Sequence, residues 1–270
     1  MANDTYLHDS FDDRNVVNDD PRSRDKGTTY SIAKVFGYMF IWLLISSAIA
    51  VGMAGLFSYL INTAAGNDEV LSTYLTTIIV SAIVSGIAVF ILSMVTHFVL
   101  FRGRHSIAVP AYLYSIFMGV LLGSLCSLIT SLMPGSIGWA VVGISFGITT
   151  LMFGVMALVA LTSKSKLNAL PIVAMGLLAG IFLMSGAMII IMIFFPTMYE
   201  WWYWVMSLGL LVVVMLTTIW DIRNVKTLAE RGQLNKNISM YIAFNLYVDF
   251  IYILIRVMYF VLRIMGRSRN

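Results

Sequence analysis

The chain has 270 residues, 60% of them hydrophobic and only 11% charged, with a formal net charge of +4 and a mean hydropathy of +0.89. Those values exclude an ordinary soluble domain and indicate a multi-pass membrane protein. A lipid bilayer is the partner this implies; no nucleic acid is expected. Cys126 is the only cysteine, which excludes a disulfide framework and a thiolate metal cluster and leaves a small packing residue. His8, His97 and His105 are scattered and form no HExxH, so neither a zinc site nor any other cofactor is expected.

Residues 1–33 are polar and acidic. Seven of the thirteen acids (Asp4, Asp9, Asp12, Asp13, Asp19, Asp20 and Asp25) lie there, without apolar periodicity. The stretch reads as a disordered cytoplasmic tail. No cleavable signal is expected, because the first apolar run is too long for one and should remain as a signal-anchor.

Seven apolar segments follow: Val35–Ile61, Thr73–Phe101, Pro110–Leu132, Ile137–Leu161, Leu170–Phe195, Tyr203–Asp221 and Met240–Ile264. A membrane helix needs about 20 residues to cross roughly 30 Å of hydrocarbon. Hydrocarbon accepts only helices or closed barrels, and segments this long and evenly apolar exclude a barrel. The expected fold is an all-α, seven-helix transmembrane bundle over residues 34–266, followed by a basic end at 267–270. Pro110 and Pro171 open helices, where a missing N–H costs little.

Lys and Arg set the orientation. They occupy the tail (Arg14, Arg22, Arg24, Lys26, Lys34) and the loops after segments two (Arg102, Arg104), four (Lys164, Lys166) and six (Arg223, Lys226, Arg231, Lys236). The other loops carry none. The N-terminus is therefore expected in the cytoplasm. Seven crossings would put the C-terminus outside, although it ends with Arg263, Arg267 and Arg269. Either the last segment crosses against the rule, or it does not fully cross.

Three segments carry GxxxG, at Gly119–Gly123, Gly143–Gly147 and Gly176–Gly180, and Ser81–Ser85 repeats the small-residue spacing. These predict a tightly packed bundle, with a dimer interface as the alternative. Trp201, Trp202 and Trp204 read as an interfacial belt.

Ionisable groups inside a membrane are costly and point to function. Asp249, in "NLYVDFIYIL", is the only acid well inside a predicted helix, roughly 13 Å from its start at 1.5 Å per residue. Asp221, in "TTIWDIRNV", stands at the end of segment six. The two can meet if segment six continues as helix past Trp220, or if Asp249 faces a cavity that reaches the cytoplasm. Two carboxylates in a low-dielectric pocket cannot both ionise cheaply, and would share one proton as a coupled pair. Ionised, they would attract a cation such as calcium. Three basic residues are latch candidates: Arg102 and Arg104 at the end of segment two, and Arg256, two helical turns beyond Asp249. The bland alternatives are positive-inside anchors for the first two and a snorkelling side chain for the third.

"WDIRNVKTLAE" followed by "NLYVDFIYIL…LRIMG" resembles the end of the Bax inhibitor-1, or transmembrane Bax inhibitor motif, family. The aromatic-Asp pair falls on Trp220–Asp221, and the Leu-Tyr-hydrophobic-Asp-Phe-Ile block on Leu246–Ile251. "AYLYSIFMGVLLGS" is similar to the family's third helix. "GITTLMFGVMALVALTSKSKLNAL" is similar to its fourth helix and exit. The resemblance implies seven helices with the seventh at the centre, and a bacterial member in the plasma membrane. It also implies a proton-sensitive calcium leak whose pH sensor is Asp221 and Asp249, with a basic latch at Arg102 or Arg104. The chain departs from the family at Met118, where many members carry Glu, and in residues 73–101, which hold no acid. Arg256 is not part of the family pattern.

Two other functions fit the same residues. Paired aspartates on consecutive helices also describe intramembrane aspartyl proteases, but those resemble YD and GxGD where this chain has WD and LYVD. Bulky Tyr247 then stands where a substrate backbone would approach, and no enzyme activity is expected. A membrane-embedded modulator of a membrane protease or stress-response partner is the remaining alternative.

Overall fold

The computed structural model describes residues 21–64, 67–102, 107–133, 136–163, 169–194, 199–232 and 234–267. The described chain is helical throughout: α1 Pro21–Thr63, α2 Asp68–Arg102, α3 Ala108–Leu132, α4 Ile137–Thr162, α5 Leu170–Phe194, α6 Tyr199–Glu230 and α7 Lys236–Arg267. Five of them contain spans long and apolar enough to cross a membrane, and Leu170–Gly186 of α5 is a shorter apolar stretch. Large apolar side chains face outward along α1, α2, α4 and α5, among them Val51, Phe90, Leu151 and Phe182. Water would not tolerate so continuous an apolar exterior, whereas hydrocarbon does.

Two boundaries correct the sequence reading. The disordered tail was expected to run to residue 33, but α1 is already helical from Pro21; residues 1–20 lie outside the described residues. Segment six was expected to end at Asp221, but α6 continues to Glu230. Apolar periodicity marks where hydrocarbon ends, not where helix ends.

Helix α7 is the centre of the bundle. It packs on α1, α3, α4 and α6, and it contributes more buried apolar side chains than any other described helix. It is not one of the five evidently apolar spans, and its neighbours cover much of its surface. On one side an aromatic cluster fastens it. Trp42 of α1 meets Phe244 and Tyr247 edge-on at 6.3 and 6.4 Å, and Tyr114 of α3 meets Phe244 at 4.9 Å. Edge-to-face contacts suit the ring quadrupole. Phe153 of α4 closes on Phe250 at 5.6 Å.

The three glycine pairs do not behave alike. A Cβ on Gly119 would lie 2.8 Å from the Ser46 carbonyl oxygen, and one on Gly123 would lie 2.6 Å from Met53 Cβ. Here α3 presses onto the backbone of α1, as the spacing predicts. Gly143 and Gly147 of α4, and Gly176 and Gly180 of α5, have nothing within 4 Å. The expectation that all three close the bundle is thus met by one pair only. The Ser81–Ser85 face is used: Ser81 and Ser124 share a hydrogen bond of 2.7 Å between α2 and α3.

Candidate functional site

The turn between α6 and α7 sets the register of the site. Gly232 takes the left-handed conformation, φ 66°, and its N–H donates to the Ala229 carbonyl at 3.0 Å. This is the usual glycine stop of a helix. Asn235 then caps α7, its Oδ1 accepting from the Ile238 N–H at 2.9 Å. With so short a turn the two helices run back antiparallel. At 1.5 Å per residue, Thr218 and Asp249 both lie roughly 18–20 Å along their helices from the turn, so they face each other.

The contact is made. Thr218 Oγ1 lies 3.0 Å from Asp249 Oδ2 and 2.7 Å from the Val214 carbonyl oxygen of its own helix, so its single proton is shared between these two acceptors. Thr218 is fully buried and Asp249 half-buried. Asp221 follows Thr218 by three residues, on the same face of α6. It is half-buried as well. The condition for the two acids to meet, helix beyond Trp220, is fulfilled. Thr218 was not singled out from sequence. A hydroxyl one turn before Asp221 was the available signal.

The latch candidates fare differently. Arg256 turns away from Asp249: its Nη1 donates to Ser207 Oγ of α6 at 2.9 Å, and it forms no ion pair among the described residues. Among the described residues, the latch candidate Arg256 therefore does not pair with Asp249. Two turns of helix put both residues on similar faces, but α6 offers each its own hydroxyl at its own depth. Arg102 ends α2, and its side chain, like all of Arg104, lies outside the described residues. Two cations nearer the acids, Arg223 and Lys226, cap the end of α4 instead, donating to the Ala160 carbonyl at 3.5 Å and the Leu161 carbonyl at 2.7 Å. Cations there suit the free carbonyls and negative end of the helix.

Beyond Arg256 the α6–α7 contact becomes aromatic. Trp204 stacks on Phe260 at 5.0 Å, with the Arg263 guanidinium 5.6 Å from its ring centre. Tyr203 meets Tyr259 at 4.9 Å. Trp204 thus packs on α7 rather than standing alone in an interfacial belt. Tyr247, three residues after Phe244, is fully buried against Trp42.

Among the described residues, no group of three or more His, Cys, Asp or Glu side chains could hold a metal ion. Asp221, Asp249 and the Thr218 hydroxyl are what α6 and α7 bring together. That falls short of the six to eight oxygens of a tight calcium site.

The profile of the family described as "Inhibitor of apoptosis-promoting Bax1" matches residues 29–270. No curated protein matches the chain. With that match running from within α1 through the whole of α7, this protein belongs to the Bax inhibitor-1 family.

Proposed function

We propose that this protein is a pH-sensitive calcium leak, gated where Asp221 and Asp249 meet. The observation that carries the reading is the α6–α7 contact itself. Asp249 is held by Thr218 at 3.0 Å, with Asp221 one turn along the same helix and no basic side chain paired with either acid among the described residues. Two carboxylates so placed, in surroundings this apolar, hold one proton between them more readily than two charges. Proton uptake or loss then changes the net charge at one point of a helix–helix contact. Ionised, the pair draws a cation to that depth; protonated, it becomes a neutral hydrogen-bonding group. Calcium is cargo here, and the pair performs no covalent step. The Lys and Arg pattern supports a cytoplasmic N-terminus, and with it a cytoplasmic α6–α7 turn.

The test is calcium flux into proteoliposomes as a function of pH for wild type, Asp221→Asn and Asp249→Asn. Wild type should carry calcium in a pH-dependent manner. Each variant should lose that dependence, because an amide cannot share the proton. A wild-type pH profile in Asp249→Asn would sink the mechanism. A wild-type protein that passes no calcium at any pH would point instead to a contact role in the membrane.

A further inference from the structure

The side of α7 that faces away from the aspartates carries a cavity of about 540 Å³. Its walls are α1 and α4, and its floor is α7 with part of α3. The space exists because the walls are made of small residues: Ser47, Ala50 and Ala54 on α1, and Gly143 on α4. Gly143 belongs to a GxxxG pair that packs on nothing within 4 Å. Opposite stand Phe250 and Leu254 of α7, the first directly following Asp249. No charged side chain lines it. Its polar walls are chiefly serines, and the Ser46 and Ser47 hydroxyls are already donated to carbonyls of their own helix.

The mouth opens sideways. Val51 and Phe146 line the cavity and are still 60% and 44% exposed. Both lie inside spans apolar enough to cross the bilayer, so the opening meets hydrocarbon rather than water. The dimensions choose the occupant. Along α1 the lining runs from Leu43 to Ala54, roughly 16 Å at 1.5 Å per residue. That is about half of a 30 Å hydrocarbon core, the depth of one leaflet. A helix from a second copy would need a groove along the whole span, whereas one acyl chain needs one leaflet. The volume also falls within the roughly 300–1,000 Å³ of ordinary small-molecule sites.

We infer that the cavity between α1 and α4 is a binding site for a single lipid acyl chain, entered from the bilayer and seated against Phe250 and Leu254 of α7. The headgroup stays outside the lining, so a free fatty acid and a diacyl phospholipid share the chemistry that is recognised. This site does not depend on the calcium reading.

Native mass spectrometry of the purified full-length protein tests it, with palmitoyl-oleoyl phosphatidylglycerol in one arm and palmitate in the other. Wild type should hold one lipid per chain. Gly143→Phe fills the cavity from a position with open space around it, and should lower retention at least tenfold. Gly180→Phe on α5, equally open but on a helix that contributes nothing to the cavity lining, should retain lipid as wild type does. Binding in both arms, or of phospholipid alone, supports the site. Three results overturn it: equal retention by Gly143→Phe and wild type, equal loss in both variants, or a lipid-free wild-type dimer that Gly143→Phe dissociates. Circular dichroism of each variant separates loss of the site from loss of the fold.

Discussion

The two sides of α7 are built from different materials. Toward α1 and α3 it presents interlocked rings, Phe244 and Tyr247 against Trp42 and Tyr114, and the helices that hold those rings are pressed together at Gly119 and Gly123. Toward α6 it presents Asp249 and Arg256, each met by one hydroxyl, Thr218 or Ser207. Ring packing has no charge state and does not respond to protons. A single hydrogen bond onto a carboxylate does, because the acceptor changes when the carboxylate is protonated. The first side positions α7, and the second is where a proton can alter its contacts.

Substitutions on the two sides should therefore differ in kind, and the largest effect belongs to the aromatic side. Phe244→Ala removes a buried ring and should cost about 3–5 kcal/mol, read as a lower unfolding temperature in detergent. If unfolding is unchanged, α7 is not held by those rings. Next comes Gly123→Leu, which drives a side chain into Met53 and the Ala50 backbone and should cost about 1–3 kcal/mol. Gly180→Leu, with open space around it, should leave unfolding where it was. Equal effects would erase the distinction between the closed and open glycine pairs. Smallest is Thr218→Val, which leaves Asp249 without its donor and should cost about 1 kcal/mol. Its clearer signature is a changed pH profile of calcium flux with the fold intact, and Thr218→Ser should restore the wild-type profile. A flux profile unmoved by Thr218→Val would detach the hydroxyl from the proposed gate.

Much of this architecture was legible because it rests on local properties. Segments four and five were placed within a residue or so of α4 and α5, since an apolar run of membrane length is helix whatever surrounds it. Asp249 stands out in the sequence for a similar reason: it is one acid among aromatic and aliphatic neighbours. The misses share a different cause. The end of α6 was set nine residues early, because polar residues past the membrane remain helical until Gly232 stops them. Arg256 was a latch candidate for Asp249 by helical spacing along α7 alone, and the partner it meets comes from the facing helix.

What the sequence determined by itself is the medium, the helices that cross it and the two acids worth watching. Hydropathy and charge scarcity are sums over single residues, and they need no knowledge of neighbours. Only the tertiary structure decided which hydroxyl each α7 charge meets, which of three identical glycine spacings is a packing surface, and where small residues leave a cavity instead of a contact. Those are properties of pairs of helices. Equal spacings on two helices become a contact or a gap according to the faces that the bundle turns together.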